Sequence, residues 1–255
     1  MFNYKFDDGG VYIGNLSNMG EKYGISQYRF ARNYELAGKE FKISDGKTSR
    51  TIKIKCKKMA ELDGLECEYE SLKLTLTTYF IRLGYSIAVF DFRQGLVTLI
   101  TGDDYFHGKI EGATVPDGAA HVDAGDDMIG TSVAWHLGCS RFVWHEFLEE
   151  GKCRVRWSPK TGHMHDHPCK ATKIDYPVFL VDVKGYAQFR TDAPVLLDRA
   201  VFLQDYEHMM TVGCLFVGGE TPIMVSGFAE FMDDAEVKSA AAADASKPAI
   251  DLPGV

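Results

Sequence analysis

Apolar and polar residues alternate with a period of two along much of the chain, and helical periodicity is scarce. Residues 47–55 (KTSRTIKIK) alternate polar and β-branched side chains, and residues 71–81 (SLKLTLTTYFI) set Leu72, Leu74 and Leu76 against polar neighbours. Both patterns predict half-buried strands. Residues 85–92 and 96–101 predict two further strands joined by the short turn Arg93-Gln94-Gly95. Residues 132–137, 142–148, 152–157, 178–183, 186–190, 209–217 and 222–228 repeat the theme. So many short strands do not suit a simple open sheet, so closure or sandwiching is expected.

An internal repeat divides the chain. Residues 85–106 (YSIAVFDFRQGLVTLITGDDYF) and 208–231 (HMMTVGCLFVGGETPIMVSGFAEF) each carry an apolar strand, a glycine turn, a second apolar strand, and then Gly102 or Gly227. The openings LAGKEFKI (36–43) and MIGTSVAWHL (128–137) also correspond. The expected organisation is a first β half over 1–110, a linker over 111–127 and a second β half over 128–232. A flexible tail over 233–255 follows. The linker is expected because EGATVPDGAAHVDAGDD is rich in Gly, Ala and Asp and lacks apolar periodicity. Residues 14–34, interrupted by Gly14, Gly20 and Gly24, read as an ordered loop or a lid.

Composition narrows the partners. A net charge of −8 argues against nucleic acid and anionic membranes, since both demand a basic surface. A small hydrophobic or aromatic molecule is the expected partner, with homodimerisation left open. No apolar run approaches the length of a membrane span, and MFNYKFDDGG lacks the features of a signal peptide, so the cytoplasm is the expected compartment. The six cysteines, Cys56, Cys67, Cys139, Cys153, Cys169 and Cys214, contain no C-x-x-C pair. They are expected to be reduced thiols, neither a zinc ribbon nor a redox motif.

The run DMIGTSVAWHLGCSRFVWHEFLEEGKCRVRWSP, then HPCKATKIDYPVFLVDV and TVGCLFVGG, resembles the C-terminal half of MoaF-like proteins. The resemblance spans residues 127–232, with a weaker echo over 36–103, and rests on strand order and spacing. It implies calycin-like antiparallel β-barrels, similar to lipocalins and to cofactor-free phenolic acid decarboxylases, with a small and often aromatic ligand inside. The paired tyrosines of those decarboxylases are not reproduced here, so their activity does not transfer residue by residue. The chain also lacks a radical-SAM cysteine cluster and a phosphate-cradling glycine loop, so nothing in it points to molybdenum cofactor synthesis.

Three groupings could carry chemistry. In GHMHDHPCK, His163, His165 and His167 alternate, as metal ligands on an extended segment would, though Gly162 and Pro168 equally suit a surface loop. Trp144, His145 and Glu146 face Arg154 and Arg156 across an expected hairpin. Glu146 could move a proton while arginine holds a carboxylate inside a barrel, or the pair could be an exposed salt bridge. Strand parity leaves open which of the two faces points inward. Tyr206 and His208 open an apolar strand and could act at a barrel mouth or simply form a turn, and Trp135, His136 and Tyr176 could line the same mouth as substrate contacts or serve as packing. Neither G-x-S-x-G nor G-x-G-x-x-G occurs, which disfavours serine hydrolase and dinucleotide chemistry, and no cofactor is expected.

The leading expectation is a cofactor-independent lyase or isomerase that moves a proton on a small aromatic or hydrophobic acid. A lipocalin-like carrier and a metal-dependent enzyme using the histidine cluster are the alternatives.

Overall fold

The computed structural model describes residues 32–231, apart from 139–140, 158–164, 186, 190–193, 197, 217 and 219–220. The chain forms two tandem, closed, eight-stranded antiparallel barrels, a calycin-like architecture. The first comprises β1 (Glu40–Ser44), β2 (Ser49–Ile54), β3 (Met59–Leu62), β4 (Leu65–Lys73), β5 (Thr78–Leu83), β6 (Ser86–Asp91), β7 (Leu96–Thr101) and β8 (Asp104–Ile110). Each strand pairs with the next, and β8 returns to β1 through Ile43 and Ile110. Side-chain oxygens shape the turns: Asp45 Oδ1 accepts from Lys47 N at 2.8 Å, and Asp91 Oδ1 from Arg93 N at 2.9 Å. Phe41, Ile52, Ile81, Phe90, Val97 and Leu99 fill the interior with apolar side chains.

Residues 71–81 are not one strand. The chain turns between Lys73 and Thr78, where Thr75 Oγ1 accepts from Thr77 N at 3.3 Å and Thr78 N at 3.1 Å. A threonine turn therefore interrupts the leucine alternation and leaves Leu76 at the exposed tip.

The second barrel is preceded by β9 (Val122–Asp123). It comprises β10 (Ser132–Gly138), β11 (Arg141–Glu149), β12 (Lys152–Trp157), β13 (His165–Asp175) and β14 (Val178–Lys184). After the small hairpin β15 (Ala187–Phe189) and β16 (Pro194–Leu196), it continues through β17 (Arg199–Asp205), β18 (Met210–Phe216) and β19 (Ile223–Phe231). The ring closes where β10 meets β19 and β12 meets β13. The two rings share the same strand order, but the two hairpins compared in sequence are one strand out of step. Residues 85–106 span β6 and β7, whereas 208–231 span β18 and β19, the last two strands of their ring. Antiparallel hairpins resemble one another wherever they occur in a meander, and that similarity produced the offset.

The barrels pack side against side. Phe80, Val89 and Ile100 on the outside of the first meet Leu180, Leu203 and Val212 on the outside of the second in one buried apolar cluster. This is why β5, β6 and most of β7 and β14 are buried at successive positions instead of alternating. Polar bridges edge the contact: Arg93 pairs with Asp175, Gln94 Nε2 donates to Ile174 O at 3.2 Å, and Lys184 meets Asp103 at 2.5 Å.

The segment over 111–127 is docked, not a loose tether. β9 pairs with β13, Ala124 N donates to Ala171 O at 2.9 Å, and a 3-10 turn (Gly125–Met128) inserts Met128 into the second core. Among the described residues no helix is long and apolar enough to cross a membrane.

Candidate functional site

Strand parity settles which groups face the second barrel's interior. Val143, His145 and Phe147 point inward, as do Cys153 and Val155 on β12 and Phe202 on β17. Trp144 and Glu146 therefore face outward. Of the two readings of the Glu146–Arg154 pair, the interior catalytic one is corrected and the exposed salt bridge is what the structure shows: both alternate to the outer face. There Arg154 pairs with Glu146 at 3.4 Å and Asp166 at 2.7 Å, and each of the three is partly exposed. The cause is simple, since an inward charge pair would displace apolar core and lose water. Trp144 is buried on that same face and donates from Nε1 to Ser132 Oγ at 2.6 Å. Arg156 pairs with Trp144 through the strand register, and its side chain lies outside the described residues, as does that of His136.

A hydrogen-bonded chain crosses the interior. Tyr206 donates its hydroxyl to Gln204 Oε1 at 2.7 Å, and Gln204 Nε2 lies 2.9 Å from His145 Nδ1. With the amide donating, His145 accepts at Nδ1 and carries its proton on Nε2. Trp135 stands edge-on to Tyr206, with ring centroids 5.5 Å apart, and its Nε1 is buried without a hydrogen-bond partner among the described residues. Gly213 makes this packing possible, because a Cβ there would lie 2.5 Å from the Phe202 ring that contacts His145. His165 and His167 lie side by side on β13, with ring centroids 6.3 Å apart, and nearby the thiols of Cys153 and Cys169 are close enough to perturb one another.

Burial keeps the interior uncharged. It holds His145 down to about 3, with His167 adding to the effect, and lowers His167 as well, with His165 contributing. Burial also raises the Tyr206 phenol well above its ordinary value. The Cys153 thiol is raised by the neighbouring Cys169 thiol and by desolvation. Among the described buried residues of this half there is no lysine or arginine, and the buried acids Asp182 and Asp205 sit on strand positions alternating with the inward Val181, Val183 and Gln204. A pocket of about 290 Å³ reaches Met128, Phe147, Cys169 and Ala171 of this core from the β11–β12 turn, at the barrel end where β17 also finishes.

Other predicted residues fall elsewhere. Tyr176 is 74% exposed on the β13–β14 turn and does not line the interior. His208 caps a turn: Asp205 accepts from Glu207 N at 2.9 Å and His208 N at 3.0 Å, and the exposed His208 ring pairs with the same carboxylate at 2.8 Å. His163 lies outside the described residues, and among those described no three ligating side chains come together to hold a metal. Sequence reasoning missed Gln204, a lone amide in the apolar run VFLQDY whose parity with Phe202 and Tyr206 was the available signal. It also missed His121, hidden in a segment that looked like linker. No protein-family model matches the chain, and no curated protein matches it.

Proposed function

We propose that the second barrel binds a small, neutral, largely aromatic or hydrophobic molecule in its interior, as a calycin-type carrier of the cytoplasm does. The observation that carries this reading is the orphaned Nε1 of Trp135 beside a neutral, hydrogen-bonded interior. A buried donor without an acceptor costs about 1–3 kcal/mol, and a ligand carbonyl or ether oxygen would remove that cost. A carboxylate would find no lysine or arginine partner among the described buried residues of this half, which favours a neutral ligand over the acid expected from sequence. The resemblance to MoaF-like barrels supports the same reading, since a ligand-holding interior is what that resemblance implies.

Native mass spectrometry of the purified protein tests it. The expected result is a retained small molecule, or saturable binding from a panel of neutral aromatic compounds, weakened roughly tenfold by Trp135→Phe. Absence of both, or equal affinity in the variant, would sink the proposal.

A second reading is favoured by one observation, the Tyr206–Gln204–His145 chain. It fixes the orientation of a phenol through Gln204 and His145, and a phenol can exchange a proton with a bound substrate, as in a cofactor-free lyase or isomerase. Histidine held down to about 3 is a weak base at neutral pH, which places binding ahead of catalysis. Recovery of the incubated molecule chemically changed by wild type, but unchanged by Tyr206→Phe that still binds it, would reverse that order.

A further inference from the structure

The segment between the barrels builds a second pocket. Ala119, Ala120 and His121 lie beside β7, β8 and the β1–β2 turn and border a half-open pocket of about 240 Å³, with Leu96 and Val97 among the walls. A cavity of roughly 150 Å³ accepts benzene, so this one has room for a single substituted ring.

Two histidines that line this pocket share one buried hydroxyl. Thr98 Oγ1 lies 2.9 Å from His107 Nδ1 and 2.8 Å from His121 Nδ1. A hydroxyl has one proton, so it donates to one ring and accepts from the other, and two neutral rings so joined carry opposite tautomers. One Nε2 is therefore protonated and the other is bare. Both rings are neutral: burial holds His121 down to about 3, and burial with Lys170 nearby lowers His107. His121 is 6% exposed, and its Nε2 has no hydrogen-bond partner among the described residues.

We propose that this pocket is a second ligand site, distinct from the barrel interior, that takes a small neutral aromatic alcohol whose hydroxyl pairs with His121 Nε2. A hydroxyl both donates and accepts, so it satisfies His121 in either tautomer, whereas a pure donor or acceptor satisfies only one. The apolar walls at Leu96, Val97, Ala119 and Ala120 suit the ring.

The probe is p-cresol, titrated into the full chain carrying 15N-labelled histidine, with imidazole nitrogens read by long-range 1H–15N correlation. The expected result is a saturable shift of His121 Nε2 with His145 unmoved, and binding at least about tenfold weaker for toluene, which lacks the hydroxyl. His121→Leu should abolish the specific binding. Ala120→Leu, which fills the pocket and leaves both rings in place, should do the same and decides the matter if the first variant fails to fold. No saturable shift at His121, equal binding of toluene and p-cresol, undiminished binding in folded Ala120→Leu, or a shift at His145 instead would overturn the proposal. Loss of the Trp135 site leaves these readouts untouched, so the two sites fail separately.

Discussion

Tyr105 at the start of β8 donates its hydroxyl to Asp182 on β14, so a side chain of the first barrel completes the partners of a buried carboxylate in the second. Arg199 pairs with the same carboxylate from β17 and donates to Gly102 O on the opposite barrel. Asp182→Asn leaves the largely buried Arg199 without its counter-charge and is expected to destabilise the protein by about 3 kcal/mol. Tyr105→Phe removes one bond and should cost nearer 1 kcal/mol. Urea midpoints compare them, and equal, small effects would remove this cluster from the list of barrel-to-barrel supports.

Stability should fall with acid in a definite window. His121 and His145 titrate near 6.5 when unfolded but are held down to about 3 when folded. The unfolded chain therefore binds more protons between those values. The contribution is fully present above about pH 6.5 and is lost as pH falls toward about 3, by roughly 1.4 kcal/mol per pH unit for each ring. His208 runs the other way: Asp205 raises it, so its contribution is present at low pH and fades as pH rises through its raised value. That ring is mostly exposed, and its effect is small. Urea midpoints measured near pH 7.5 and near pH 5 should differ for wild type and differ less for His145→Gln. An unchanged pH dependence in that variant would contradict the assignment.

Gly213→Ala is expected to be disruptive despite adding one methyl group. Its Cβ would lie 2.5 Å from Phe202 Cδ1 and 2.8 Å from Val201 O, and the backbone oxygen cannot rotate away. Overpacking of this kind costs about 1–3 kcal/mol. Because Phe202 also contacts His145, ligand binding in the second barrel should weaken alongside the thermal midpoint. Normal stability in the alanine variant would mean that the strand shifts freely at this position.

Glu146→Gln and Arg154→Ala should leave ligand affinity unchanged and alter stability by under about 1 kcal/mol, because the ion pairs they break lie on the outer face. A calorimetric titration with any ligand of the barrel checks the first point. A large loss of affinity would return these residues to the interior site.

The strand content was legible because period-two alternation marks a sheet with one wet face, as at residues 47–55, where β2 lies. Alternation became uninformative on β11, where Trp144 and His145 are both buried on opposite faces and the direction of Glu146 depends on the ring as a whole. The hydrogen-bonded chain was hidden for a related reason: Gln204 and His145 are 59 residues apart in the chain and meet only across the closed barrel. His121 escaped notice because its surroundings are Ala, Gly and Asp, and only docking of that segment against Thr98 gives it a role.

The apolar wall shared by β5–β7 with β14, β17 and β18 makes each half the other's solvent shield. A separately produced half would present Phe80 and Val89, or Leu203 and Val212, to water along strands already committed to a ring. Such a fragment would be driven to pair with whatever apolar surface it met. Separating the barrels would therefore expose this wall at the expense of solubility, and the pair, not the single barrel, is the unit to produce or transplant intact.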